Sequence, residues 1–291
     1  FIGVHRNTIK GNVSAIHDTI YTNLKESSID FAAYAAHVAS FHRLDSDSPL
    51  NEVCFWLDNY KKLLAPYEQN NTAMWMSVLQ QAAADLQSKK APNNLMDGTH
   101  FSILEHLDYP LKINVDRSLV FISYHYRSVL NVLFKNWRNA VADCNVASKY
   151  RIGIVGTYGE HLHKFIEGIA QARLAINDNK MGIAKSKLRT SIKFLQIPTS
   201  IGSIVVQSKL ALLQGYSSFL NEKVNDAKKH FQQSIVLAEE NGHILDKILG
   251  LDAMILVSNI SDQADFQIEL INTINKWGGD ALLALYSRPP R

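Results

Sequence analysis

Long hydrophobic runs are the first thing this sequence lacks. No stretch of about 18 apolar residues occurs, so no membrane-spanning helix is expected and no membrane partner follows. Cysteine is nearly absent: Cys54 and Cys144 are too few for a disulfide scaffold. Charge of one sign is missing too. Thirty Lys and Arg against 27 Asp and Glu leave a net charge of +3, and the basic residues form no stripe with interleaved aromatics. That argues against a nucleic-acid partner. Strand-period alternation and low-complexity tracts are not found. Neither are a Walker motif, a nucleophile elbow, a kinase catalytic loop or a paired-carboxylate glycosidase signature. His161 and His163, two apart on a helix, point to different faces, and His37/His42 and His100/His106 have no ligand spacing. Gly153, Gly156 and Gly159 imitate a phosphate loop, but no Gly-Lys-Ser/Thr follows and no strand precedes. No catalytic residue, cofactor or metal is therefore expected, and the acidic residues read as solvated surface charges.

Helical periodicity is what remains, and 208–243 carries it best. Leu210, Leu213, Tyr216 and Leu220 recur at helical steps, as do Ala227, Phe231, Ile235 and Ala238 on a second helix. Asn225 is placed to cap the second helix and Asn241-Gly242 to stop it. Gly215, Ala227, Phe231 and Ser234 have the small–small–large–small spacing of a tetratricopeptide repeat: small residues let two helices cross closely and Phe231 fills the space beside them. Ala140, Cys144 and Ala147 share the spacing, with Cys144 as a buried small hydrophobe, and so do Ala184, Leu188 and Ser191. The alanines at 140, 184 and 227 stand 44 and 43 residues apart, longer than the standard unit of about 34. The pattern predicts an all-α, tetratricopeptide-like superhelical solenoid of antiparallel hairpins.

In chain order, helices are expected over 12–24, 29–41, 50–64, 72–86, 116–134, 137–149, 161–176, 181–195, 208–220, 225–241, 245–257 and 263–277, making six hairpins. A short capping helix follows at 280–286. Within 29–41, five alanines admit a close partner while Phe31, Tyr34 and Val38 supply bulk. Pro198 closes the fourth hairpin. The four tryptophans, Trp56, Trp75, Trp137 and Trp277, read as packing between hairpins. The expected organisation is N-terminal hairpins over 1–88, an irregular insertion or soft boundary over 89–112, and tetratricopeptide-like repeats over 113–291. The chain starts at Phe1 rather than methionine and ends after Pro289-Pro290, which reads as a segment of something larger. First helices line the inner groove of such superhelices, and Tyr124, Arg127 and Asn131 share one face of one. They are the candidate partner-binding residues, a ring, a guanidinium and an amide suited to a peptide or helix.

Several stretches together resemble the helical-repeat region of large hybrid signalling kinases. Residues 29–35, IDFAAYA, are similar to that family's "GD-x-x-Y-A-x-Y-A" helix, and Leu79-Gln80-Gln81 to its "Q-x-x-x-N-L" helix, with Asp85 in place of the asparagine. Residues 134–140, FKNWRNA, resemble its "F-G-x-Y-x-x-A" turn, with Lys135 for the glycine and Trp137 for the tyrosine. Residues 237–242, LAEENG, resemble the "A-x-E-N-G-F" helix end, and Trp277-Gly278-Gly279 the closing "W-G-A". The matches follow in order along nearly the whole chain. In that family a kinase-like domain and a nucleotide-binding ATPase module precede this region, and a GAF domain and a histidine kinase follow it. The resemblance implies a non-catalytic, cytoplasmic regulatory and scaffolding arm of a two-component signalling protein, partnered by protein or peptide, including other domains of its own chain. The competing expectation is a tetratricopeptide-like sensor arm of an ATP-dependent transcription activator, binding a peptide or small effector.

Overall fold

Side-chain oxygens start two of the helices. Thr8 Oγ1 accepts the Gly11 amide at 3.3 Å, and Asp116 Oδ1 accepts the Leu119 amide at 3.0 Å. The structure, a computed structural model, describes residues 7–90, 92–107, 116–178 and 181–287. Among them are fourteen α-helices and no strand. Twelve form six successive pairs: α1 Ile9–Lys25 with α2 Ile29–Asp45, α3 Leu50–Leu64 with α4 Asn70–Gln87, α6 Arg117–Leu133 with α7 Trp137–Lys149, α8 Tyr158–Asp178 with α9 Met181–Ser200, α10 Gln207–Leu220 with α11 Val224–Asn241, and α12 Ile244–Val257 with α13 Ile260–Trp277. The short α5 Ile103–Leu107 lies between the second and third pairs, and α14 Asp280–Tyr286 is the last helix in chain order among the described residues.

One turn recurs. The α1–α2, α6–α7 and α10–α11 links are three residues long, and their middle residues, Ser27, Lys135 and Glu222, have φ near +60°. In each, the amide after the middle residue bonds back to the carbonyl five residues earlier: Ser28 to Asn23, Asn136 to Asn131, and Lys223 to Ser218. Lys135 thus occupies a left-handed position that glycine fills without strain.

The small–large packing is present at the spaced positions. A Cβ on Gly215 would lie 2.3 Å from Phe231 Cδ1, so that crossing admits hydrogen alone. Ala140, Cys144, Ala147, Ala184, Leu188, Ser191, Ala227, Phe231 and Ser234 are all buried, and Ser234 Oγ donates to the Ser208 carbonyl at 2.8 Å. Burial pushes the Cys144 thiol up to about 12. On the first helices Ser128 hydrogen-bonds Cys144, and a Cβ on Gly168 would lie 3.2 Å from Ser191 Cβ. Ser128 stands 16 residues before Cys144, as Gly215 does before Phe231. A Cβ on Gly168 would approach Leu213 Cδ2 to 2.9 Å.

Four expectations need correction. Helix α9 does not close at Pro198 but runs to Ser200: the bond proline forfeits falls in the last turn, where Thr199 Oγ1 bonds the Leu195 carbonyl. Asn225 lies inside α11, whose N-cap is Lys223 without a side-chain bond. Phe31 is 71% exposed and Tyr34 lies half out, so α2 packs through its alanines. The acidic residues are not all at the surface: Asp45, Asp85, Asp143, Asp246 and Asp252 are buried. Residues 91 and 108–112 of the stretch expected to be irregular lie outside the described residues, as do the first six and last four of the chain. The described part of that stretch is seated, with Met96, Phe101, Ile103 and Leu107 in the same core as the hairpins.

Contacts also run across the fold. Helix α14 lies on α4, and Ser46, just after α2, bridges to His243 at the start of α12. No helix among the described residues is long and apolar enough to cross a membrane.

Candidate functional site

Two buried polar side chains of α4 shape the site. Gln81 Oε1 accepts the His100 amide at 3.1 Å and its Nε2 donates to Asp85 Oδ1 at 2.7 Å. Asp85 Oδ2 accepts the Met96 amide at 2.7 Å. Burial raises the Asp85 carboxyl above its ordinary value, against these two bonds. Gly98 allows the approach, since a Cβ there would stand 2.4 Å from Gln81 Nε2. Residues 92–97 are thereby held upright as one wall of a cleft of about 440 Å³.

The opposite wall is the α6–α7 hairpin; of the predicted trio Arg127 and Asn131 line the cleft, and Tyr124 is not among its lining residues. Arg127 forks onto Asp143, with Nε to Oδ2 at 3.0 Å and Nη2 to Oδ1 at 2.6 Å. Asn131 Nδ2 donates to Asp143 Oδ2 at 2.9 Å. The Arg127 guanidinium also lies 4.7 Å above the Tyr124 ring. Burial would lower the Arg127 pKa, and the Asp143 bonds reverse it and hold it above the usual value. The three candidates are therefore brought together, through an aspartate the sequence reading did not single out. Asn131 is buried in that role, whereas Arg127 remains partly open. The rim is made of exposed amides, Asn93 and Asn94 on one side and Asn136 and Asn139 on the other. Such a surface offers paired donors and acceptors to a polypeptide backbone.

A second polar centre lies inside the fold. Lys209, fully buried on α10, places Nζ 2.9 Å from Asp246 Oδ2, 3.3 Å from Asp45 Oδ2 and 3.3 Å from His243 Nδ1. His243 Nδ1 is 3.1 Å from Asp45 Oδ2, and the Tyr158 hydroxyl donates to the same oxygen. Burial by itself would raise the Asp45 carboxyl; the Lys209 ammonium and the His243 bond outweigh it and hold the group below the carboxylate range. Burial likewise works to lower Lys209, and Asp246 and Asp45 lift it above the ordinary lysine value. Asp252 makes a related centre with Lys135 at 2.7 Å and Arg173 at 3.3 Å, while Lys135 Nζ also lies 4.4 Å over the Tyr286 ring. The available signal was α12 itself, in which Asp246, Lys247 and Asp252 interrupt an otherwise apolar run, ILDKILGLDAMILV.

His163 Nε2 meets Ser148 Oγ at 3.0 Å and His161 packs on Phe194. Among the described residues no group of three or more His, Cys, Asp or Glu is placed to hold a metal ion. Trp75 Nε1 donates to Asp116 Oδ2 at 2.8 Å, tying α4 to α6. No family model matches the chain and no curated protein matches it.

Proposed function

We propose that this chain is a non-catalytic, tetratricopeptide-like helical-repeat segment that works by binding protein or peptide, including other parts of its own polypeptide. In this reading it is a cytoplasmic regulatory and scaffolding arm of a larger hybrid histidine kinase with an ATPase module. The observation that carries it is recurrence. One three-residue turn appears in three hairpins, and in two of them a small residue of the first helix meets the second-helix residue 16 positions on, Ser128 with Cys144 and Gly215 with Phe231. Repeated hairpins present extended surfaces for partners. The cleft between residues 92–97 and α6–α7 is the docking place, with Arg127 and Asn131 braced by Asp143 and the rim asparagines as the contacting groups.

The test places a photo-crosslinking residue at Asn139 in the longest natural polypeptide that contains this segment, with Lys229 as the control. Crosslinks from Asn139 into sequence outside the segment, and not from Lys229, are the expected result. Equal labelling from both positions would refute the docking place, and sustained ATP turnover by the purified 291-residue chain would refute the non-catalytic reading. A second reading, a sensor arm of an ATP-dependent transcription activator that binds a small effector, is favoured by a separate aromatic cavity between α2, α4 and α6.

A further inference from the structure

That cavity lies apart from the cleft. It encloses about 90 Å³ between α2, α4, α6 and the turn before α8. Its volume is several times what one water needs, roughly 10–15 Å³, and approaches the apolar cavity of about 150 Å³ that takes up benzene. Rings form its walls: His37 packs edge-on to Phe41 at 5.1 Å and tilted on Trp75 at 5.0 Å, and His42 stacks on Tyr158 at 4.8 Å. No Asp, Glu, Lys or Arg lines it.

The polar atoms of these walls are mostly spent on the protein. Ser118 Oγ donates to the Gly153 carbonyl, Thr157 Oγ1 to the Ile154 carbonyl, Trp75 Nε1 to Asp116, and the Tyr158 hydroxyl to Asp45. His37 differs. It is 7% exposed, lines the cavity, and its Nδ1 is buried without a hydrogen-bond partner. A buried polar nitrogen left unpaired is costly, and native structures seldom keep one without a reason. Burial drives the His37 pKa down to about 3, so the ring stays neutral and offers one donor or one acceptor according to its tautomer.

We propose that this cavity is a binding site for an uncharged, planar, one-ring aromatic molecule whose hydrogen-bonding atom meets the His37 ring. Flat rings fit between flat walls, and a net charge would lose its hydration with nothing opposite to replace it.

Phenol is the probe, with cyclohexanol and benzoate as the non-planar and charged comparisons and toluene as the analogue without a hydrogen bond. Binding to the whole chain is followed by saturation-transfer NMR and by Trp fluorescence, since Trp75 forms a wall. Phenol should saturate with a dissociation constant on the order of 1 mM, a realistic strength for so small a molecule. Cyclohexanol and benzoate should bind at least roughly tenfold more weakly. In His37→Phe, phenol should weaken about fivefold to tenfold, the scale of one hydrogen bond, while toluene is unchanged. Val38→Trp, at the cavity's edge, should abolish both. The proposal is overturned by non-saturating phenol titration, by equal affinity for phenol and benzoate, or by unaltered phenol affinity in His37→Phe. If Val38→Trp does not fold, the His37→Phe comparison and the probe ranking still decide.

Discussion

The α10–α11 hairpin and the Asp45–Lys209–Asp246 centre touch the same helix and are held by opposite physics. Within the hairpin, Gly215 meets Phe231 by shape, between residues 16 apart, and nothing charged takes part. At the centre, Lys209 joins residues 164 and 37 positions away, and every group is ionic or polar. A fault in shape packing between sequence neighbours stays within the hairpin, as a cavity or a clash. A buried ion spreads its fault further, because its desolvation is offset only while all partners are in place. The local pairs thus build the hairpins, and the ionic centre sets how distant hairpins meet.

This contrast breaks most sharply at Lys209. Lys209→Met leaves two buried carboxylates facing each other and should cost about 5 kcal/mol, the upper end for an uncompensated buried charge. Adding Asp45→Asn and Asp246→Asn should restore at least about half, read by denaturant unfolding. A single change as mild as a surface one would mean that the centre is not dry. Phe231→Ala should cost about 4 kcal/mol through the cavity it opens in the hairpin, with no rescue by charge changes.

Acid titration sharpens the comparison further. Burial holds His37 at about 3 and His163 at about 4, both below the free imidazole value. As pH falls, the unfolded chain therefore takes up protons first. Stability is full above about pH 6.5 and falls by about 1.4 kcal/mol per pH unit for each histidine down to about pH 4. His37→Phe and His163→Phe should each flatten that slope. Asp45, held low, loses its contribution only below about pH 4, so the two effects separate. Arg127→Ala, which leaves Asp143 with Asn131 alone, should cost about 2 kcal/mol, and a melt unchanged within roughly 0.5 kcal/mol would mark Arg127 as free for a partner.

Helix positions were legible because apolar stripes and small residues repeat at helical steps, and α3 and α7 fall where the pattern ends them. The Tyr124, Arg127 and Asn131 face was legible for the same reason. Asp143 was not, because its fork with Arg127 depends on a hairpin crossing 16 residues away rather than on any local motif. Residues 92–97 look like loop in the sequence, and their anchoring by Gln81 and Asp85 arises from α4 across the fold. The ionic centre left one local trace, two aspartates in the apolar α12, while its partners Asp45 and Lys209 sit in stretches that read as ordinary helix.

Helix α14 is seven residues long, yet Ala281 and Leu282 are buried, Tyr286 lies under Lys135, and the helix lies on α4. Terminal helices ordinarily fray first and exchange their amide hydrogens fastest. A row of hairpins with two loose ends would melt inward from both. Here α14 is fastened to α4, so its amides should exchange with the bulk of the molecule, and deleting 280–286 from the 291-residue chain should turn one concerted melt into progressive loss from α13 backwards.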